Sequence, residues 1–188
     1  MIARADVRMN SYVALIRGIN VGGKSSLPMK ELTQALQRIG CHNVRTYIQS
    51  GNVVFQSDAI AARLGEEISD EIGRCRSFKP HVLVLEKLEF KQAVENNPFP
   101  EGESDPKALH LGFLDSVPSR PDLQALEALR APSEKIELIG RVFYLFAPNG
   151  VGRSKLAAKS EKALAVPMTD RNWRTVVKIM SLLEERDA

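Results

Sequence analysis

The chain has 188 residues, 44% of them hydrophobic and 26% charged, a composition that excludes a disordered protein and suits one large domain or two small ones. Its two cysteines, Cys41 and Cys75, read as buried reduced thiols rather than a disulfide framework, and no apolar run approaches the roughly 18 residues that span a bilayer. The N-terminus has no signal-peptide pattern, so a cytoplasmic location without a membrane partner is expected, and a net charge of +3 is too mild by itself to imply nucleic acid.

In chain order, residues 1–8 read as an N-terminal extension, with Met9 directly before the first strand. The apolar run Tyr12 to Ile16 ends in Arg17 and gives way to a loop carrying Gly18, Gly22 and Gly23. Pro28 opens a helix whose Met29, Leu32, Leu36 and Ile39 recur at helical spacing, and Gly40 ends it. Residues 43–49 form a second strand, Ser50-Gly51-Asn52 a tight turn, and Val53, Val54 and Phe55 the returning strand of a hairpin. Ser57 or Asp58 then caps a helix with Ala61, Leu64, Ile68 and Ile72 on one face, and Pro80 opens a strand over residues 81–85. The order β-α-β-β-α-β is the ferredoxin-like unit.

A short helix over residues 86–96 leads to residues 97–107, rich in Pro, Gly and acids and read as a linker. The pattern then partly repeats, with a strand over 108–114, a helix carrying Leu123, Leu126 and Leu129, and a hairpin of 136–139 and 142–146 around Gly140. Two helices are expected to close the chain. One runs over 153–164; the other starts near Thr169, capped by Thr169 or Asp170, and buries Trp173, Val176, Val177, Met180 and Leu183. The expected fold class is α+β: a ferredoxin-like subdomain over 9–96, the linker, and a related, divergent β-α-β-β-α-α subdomain over 108–188.

Function centres on the first loop. In a β-α-β-β-α-β sheet the first two strands run the same way, so the loop 17–26 and the turn 49–52 should emerge together at one edge. Both offer backbone N–H groups and small amide and hydroxyl side chains, chemistry that suits a phosphate or carboxylate. Asn20, Ser50 and Asn52 also have the commoner role of hydrogen bonding their own loops. Gly18 to Ser25 fits G-x-x-x-x-G-K-[ST], the nucleotide-phosphate loop in which Lys24 would neutralise charge and Ser25 hold Mg²⁺. Two features argue against that mechanism: Pro28 falls where the helix should already be running, and the next strands form a hairpin where a parallel sheet is needed.

Charge is polarised along the chain. Arg141 to Lys178 holds eight bases against two acids, +6 in all, leaving the remainder at −3, and a solvated basic helical face is the ordinary reading of such a stretch. Gly150 to Lys155 repeats the theme of a glycine loop entering a helix. Cations in a first helical turn repel its partly positive end, so Arg153, Lys155 and Arg171 are expected to face a bound anion or internal acids such as Glu161 and Asp170. His42, His81 and His110 are scattered, without metal-ligand spacing, so no metal or cofactor is expected. His110 reads as a satisfied strand histidine in preference to a general base.

The strings YVALIRGINVGGK, VRTYIQSGNVVF, KALHLGFL, GVGRSKL and TDRNWRTVVKI resemble the signature segments of an uncharacterised bacterial family, domain of unknown function 1697 (DUF1697). The resemblance implies an α+β protein with ferredoxin-like features and supplies no reaction. By resemblance the signature positions are Arg17, Gly18, Asn20, Gly22, Gly23, Lys24, Gln49, Ser50, Gly51, Asn52, Ser154, Lys155, Arg171, Asn172 and Trp173. The expected function is binding of an anionic, phosphorylated ligand such as a nucleotide or RNA. Its candidate residues are Arg17, Asn20, Gly22, Gly23, Lys24, Gln49, Ser50, Asn52, Arg153, Ser154, Lys155, Arg171 and Asn172. Two alternatives stand beside it: an enzyme acting on a small phosphorylated or carboxylated metabolite, and a non-catalytic protein-interaction domain. The sequence leaves oligomeric state open.

Overall fold

The computed structural model describes residues 9–22 and 25–185. It divides into two units, one formed by the chain up to Lys91 together with the chain from Lys178, the other by Gln92–Val177. The fold is α+β, with two four-stranded antiparallel sheets and six α-helices among the described residues. The N-terminal extension read over residues 1–8 lies outside the described residues, as do Gly23 and Lys24.

In the first unit the order is β1 (Asn10–Ile16), α1 (Met29–Arg38), β2 (His42–Tyr47), β3 (Asn52–Ser57), α2 (Ala61–Cys75) and β4 (Val82–Glu86), with strands arranged β2-β3-β1-β4. Both β1 and β2 pair antiparallel with β3, so they share a direction and their following loops leave the same edge. One face of β1, Tyr12, Ala14 and Ile16, packs with Phe55 of β3, Leu32 and Leu36 of α1, and Leu64, Ile68 and Ile72 of α2. Val13 and Leu15, on the opposite face, are also fully buried. Burial on both faces explains why β1 reads as an unbroken apolar run.

Pro28 opens α1 as the sequence reading expects, from the cap position and without a side-chain hydrogen bond. The start of α2 differs from that reading. At α2 the cap position is Ile60, again without a side-chain cap, because Ser57 Oγ accepts instead from the Ala59 N–H at 3.1 Å and tightens the turn before the helix. Both thiols are free, but only Cys41 is buried; Cys75, expected to be buried, is exposed. Burial pushes the Cys41 thiol up to about 12.

The helix α3 (Lys87–Glu95) follows β4, and a 3-10 turn, Pro100–Ser104, lies within residues 97–107. The second unit continues with β5 (Leu109–Leu114), α4 (Leu123–Leu129), β6 (Lys135–Ile139), β7 (Val142–Phe146), a 3-10 turn over Val151–Arg153, α5 (Ala157–Leu164), β8 (Met168–Asn172) and α6 (Trp173–Glu184), with strand order β6-β7-β5-β8. Leu126, Phe143, Leu145, Leu156 and Leu164 anchor its core.

The end of the chain corrects the expected β-α-β-β-α-α order. Where a helix was expected from Thr169, β8 pairs with β5 from His110↔Asn172 to Leu114↔Met168, so a strand separates the last two helices. The helix starts only at Trp173, and Asn172 Oδ1, not Thr169 or Asp170, accepts from a first-turn N–H, that of Thr175 at 3.0 Å. The preceding helix also starts later than expected. It begins at Ala157, so Arg153 and Lys155 precede α5 rather than occupy its first turn, and Ser154 Oγ accepts from the Ala157 N–H at 2.9 Å. No described helix is long and apolar enough to cross a membrane.

Candidate functional site

The loop after β1 and the turn after β2 are joined, as their shared direction requires. Ile16 N–H donates to Gly51 O at 2.8 Å, and Arg17 N–H to His81 O at 2.9 Å, fixing the exit of β1 between its neighbours. Gly51 sits at φ 76°, and a Cβ there would lie 2.7 Å from Ile16 Cβ, so this crossing needs glycine. Asn20, left-handed at φ 56°, is the hub of the edge. Its Nδ2 donates to Gln49 O at 2.8 Å and to Leu27 O at 2.9 Å, while its Oδ1 accepts from Leu27 N–H at 2.8 Å. Buried Asn52 plays a similar part within the turn, donating to Tyr47 O at 3.2 Å and to Ser50 Oγ at 2.9 Å.

Asn20, Ser50 and Asn52 therefore build the scaffold, and other groups form its outer surface. Arg17, Gly22, Ser26 and Gln49 are exposed. So are two apolar side chains, Val21 at 69% and Ile48 at 52%, each adjoining one partner of the Asn20–Gln49 bond. Ile48 stands at φ 49°, a conformation that β-branched residues rarely adopt. Gly23 and Lys24 belong to the same loop but lie outside the described residues. Because β1 pairs antiparallel with both β3 and β4, the parallel sheet required by the nucleotide-phosphate loop fold is missing around this motif.

In the second unit the remaining candidates serve different elements. Arg153 lies in a 3-10 turn, Ser154 Oγ accepts from the first N–H of α5, and exposed Lys155 stands between the turn and the helix. Arg171 and Asn172 belong to β8, with Arg171 Nη1 donating to Asp170 O at 2.7 Å. Burial pulls the Arg171 guanidinium down to about 10, against the opposing charge of Asp170, and it stays charged at neutral pH. The helix-end argument for an anion facing Arg171 thus loses its premise, since Arg171 is in a strand.

Sequence spacing gave no sign of one pair. His110 Nδ1 lies 2.7 Å from Asp170 Oδ2, and His110 Nε2 lies 3.0 Å from Lys107 O. Both ring nitrogens face acceptors, so only the imidazolium satisfies both bonds. Burial opposes that charge, but the bonds and charge of Asp170 and the Lys107 carbonyl outweigh it, and the His110 pKa is raised. With both nitrogens hydrogen bonded, His110 clamps β5 to β8. Among the described residues, no group of three His, Cys, Asp or Glu is arranged to hold a metal.

Residues 9–144 match the family described as "Protein of unknown function (DUF1697)". The chain belongs to this family. Among solved structures it is similar to the conserved bacterial protein SP0830 from Streptococcus pneumoniae, with 28% identity over 94% of this chain and 99% of that chain and a TM-score of 0.67. No curated protein matches the chain. The DUF1697 match contains the whole joined edge, from Arg17 to Asn52, whereas Arg153, Ser154, Lys155, Arg171 and Asn172 lie beyond its end.

Proposed function

We propose that this DUF1697 protein binds a small phosphorylated ligand, of the nucleotide type, at the joined loop and turn of the first unit. The observation that carries the reading is the Asn20 side chain, which ties the loop to the turn at Gln49 O and Leu27 O and so preorganises the edge. Arg17, Gln49 and Ser26 supply polar groups at that surface, and Lys24 adds a cation from the same loop. Exposed Val21 and Ile48 offer apolar surface for the uncharged part of the ligand, which favours a nucleotide over free phosphate. Strain held at Ile48 is consistent with a residue kept for contact, since an exposed turn position would otherwise favour Asn or Gly. The β-α-β-β-α-β order and matching strand arrangement of each sheet support reading both units as ferredoxin-like. Two separate free thiols support a reducing, cytoplasmic setting.

The test is thermal shift followed by calorimetry with AMP, ATP and Mg²⁺, glucose 6-phosphate, inorganic phosphate and a short RNA. A nucleotide should raise the melting temperature. Lys24→Ala and Gln49→Ala should each weaken that ligand about tenfold, in keeping with charged or buried hydrogen bonds. ATP hydrolysis is not expected. A panel without any stabilising phosphate compound, or unchanged affinity in both variants, would sink the reading; tighter binding of RNA than of any nucleotide would replace it.

A further inference from the structure

A cavity of about 460 Å³ lies in the second unit between α4 and α5. Its floor is apolar, with Ala125, Leu126 and Leu129 on α4 facing Ala163 of α5. Its rim is cationic, made by Arg120, Lys159 and Lys162. These three side chains have no ion pair or hydrogen bond among the described residues. Each helix contributes a single stripe: Ala125, Leu126 and Leu129 recur at helical spacing, as do Lys159, Lys162 and Ala163.

The walls are fixed without a ligand. Asp122, the acid in the lining, accepts from Ala125 N–H at 3.0 Å through Oδ1, and its own N–H donates to Ala163 O at 2.9 Å. That second bond pins the start of α4 to the last turn of α5. Lys162, in the last turn of α5, answers the partly negative helix end and so has a structural reason to be there. Arg120 and Lys159 have no such reason, and three cations outnumber the one lining carboxylate, Asp122, leaving the concavity a net positive charge that an anion would offset. The volume falls within the roughly 300–1,000 Å³ of small-molecule sites, which pair an apolar lining with a few convergent polar groups.

We propose that this groove binds an amphipathic anion of small-molecule size. Its carboxylate or phosphate-monoester head is held by Arg120, Lys159 and Lys162, and its aliphatic or aromatic body lies on Leu126 and Leu129. The cations select the charged head; the apolar floor selects against a bare inorganic ion. The site shares no residue with the loop and turn of the first unit, so it stands or falls independently of the function proposed there.

The full chain is titrated with 1-anilinonaphthalene-8-sulfonate, an amphipathic anion whose fluorescence reports an apolar site. Laurate and dodecyl phosphate are the competitors, both below micelle formation, with dodecanol and inorganic phosphate as controls. One dye per chain should bind and be displaced by laurate or dodecyl phosphate, the stronger of the two naming the head group, while neither control competes. Arg120→Gln and Lys159→Gln should each weaken the better competitor about tenfold and leave the melting temperature of the free protein unchanged. Leu129→Gln should weaken it as well. Equal competition by dodecanol, or wild-type affinity in both cation variants, overturns the proposal. So does displacement of the dye by an acidic amphipathic peptide and not by either small anion.

Discussion

Asn20 does more for the first unit than its exposed loop implies. Its three side-chain hydrogen bonds satisfy the backbone N–H and C=O of Leu27, a residue only 1% exposed, and reach across to Gln49. Asn20→Ala removes those partners and places alanine in a left-handed conformation, so urea unfolding should show a loss of about 2–4 kcal/mol. A loss below about 0.5 kcal/mol would mean that water replaces the amide without cost. His110 makes a separate prediction, in pH. Its folded pKa is raised, so the folded state holds the proton more tightly than the unfolded chain. The associated stability is fully present below the ordinary histidine value and is lost as pH climbs through the raised one. Urea midpoints of the wild type should therefore fall between about pH 6 and pH 8 relative to those of His110→Gln, which cannot titrate there. Parallel profiles for the two proteins would show that the Asp170 contact does not perturb the imidazole.

Among the elements, α2 and β4 meet closely because Gly65 has no side chain. A Cβ at Gly65 would stand 2.7 Å from Val82 O, a backbone atom that cannot turn aside. Gly→Ala in an exposed helix interior adds about 1 kcal/mol of stability, but crowding a packed interface costs about 1–3 kcal/mol, so Gly65→Ala should be destabilising by up to about 2 kcal/mol. A gain in urea midpoint would place the helix farther from the strand. Elements whose burial is written in apolar residues were legible from sequence: β1, α1, β3 and α2 all fall close to where their periodicity puts them. So was the adjacency of the first loop and the turn, which follows from strand direction alone. β8 was not legible, because Met-Thr-Asp-Arg-Asn at a sheet edge needs no apolar alternation and Thr-Asp imitates a helix cap. Trp173 and Val176 then carried the helical reading back across the strand. The role of Asn20 was legible only as one of two choices, since an asparagine that builds a loop and one that binds a ligand look alike in sequence. The Arg120, Lys159 and Lys162 rim was hidden for another reason: its residues come from the α4 entry and from α5, and only packing brings them to one cavity.

At the scale of the whole molecule, the first unit is discontinuous in sequence. It takes the chain up to Lys91 and then the residues from Lys178 onward, so α6 begins in one unit and ends in the other. Half of the described residues of the returning stretch are buried, with Ile179 1% and Leu183 0% exposed. It also carries Glu185, whose Oε2 accepts from Arg45 Nη2 of β2 at 2.6 Å, an exposed pair that adds position more than energy. Truncating one buried Leu or Ile to Ala typically costs about 2–5 kcal/mol, and a domain has only about 5–15 kcal/mol in total. A chain ending at Val177 should therefore lose the first unit's fold, or keep it only marginally. The two units can be read separately. Trp173, the single tryptophan, lies in the second unit, while the amides of β1 and β3 report the first. The truncated chain should lose hydrogen-exchange protection at β1 and β3, whatever happens at Trp173. Full protection there would mean that the last turns of α6 are dispensable and that residues up to Lys91 carry a self-sufficient core.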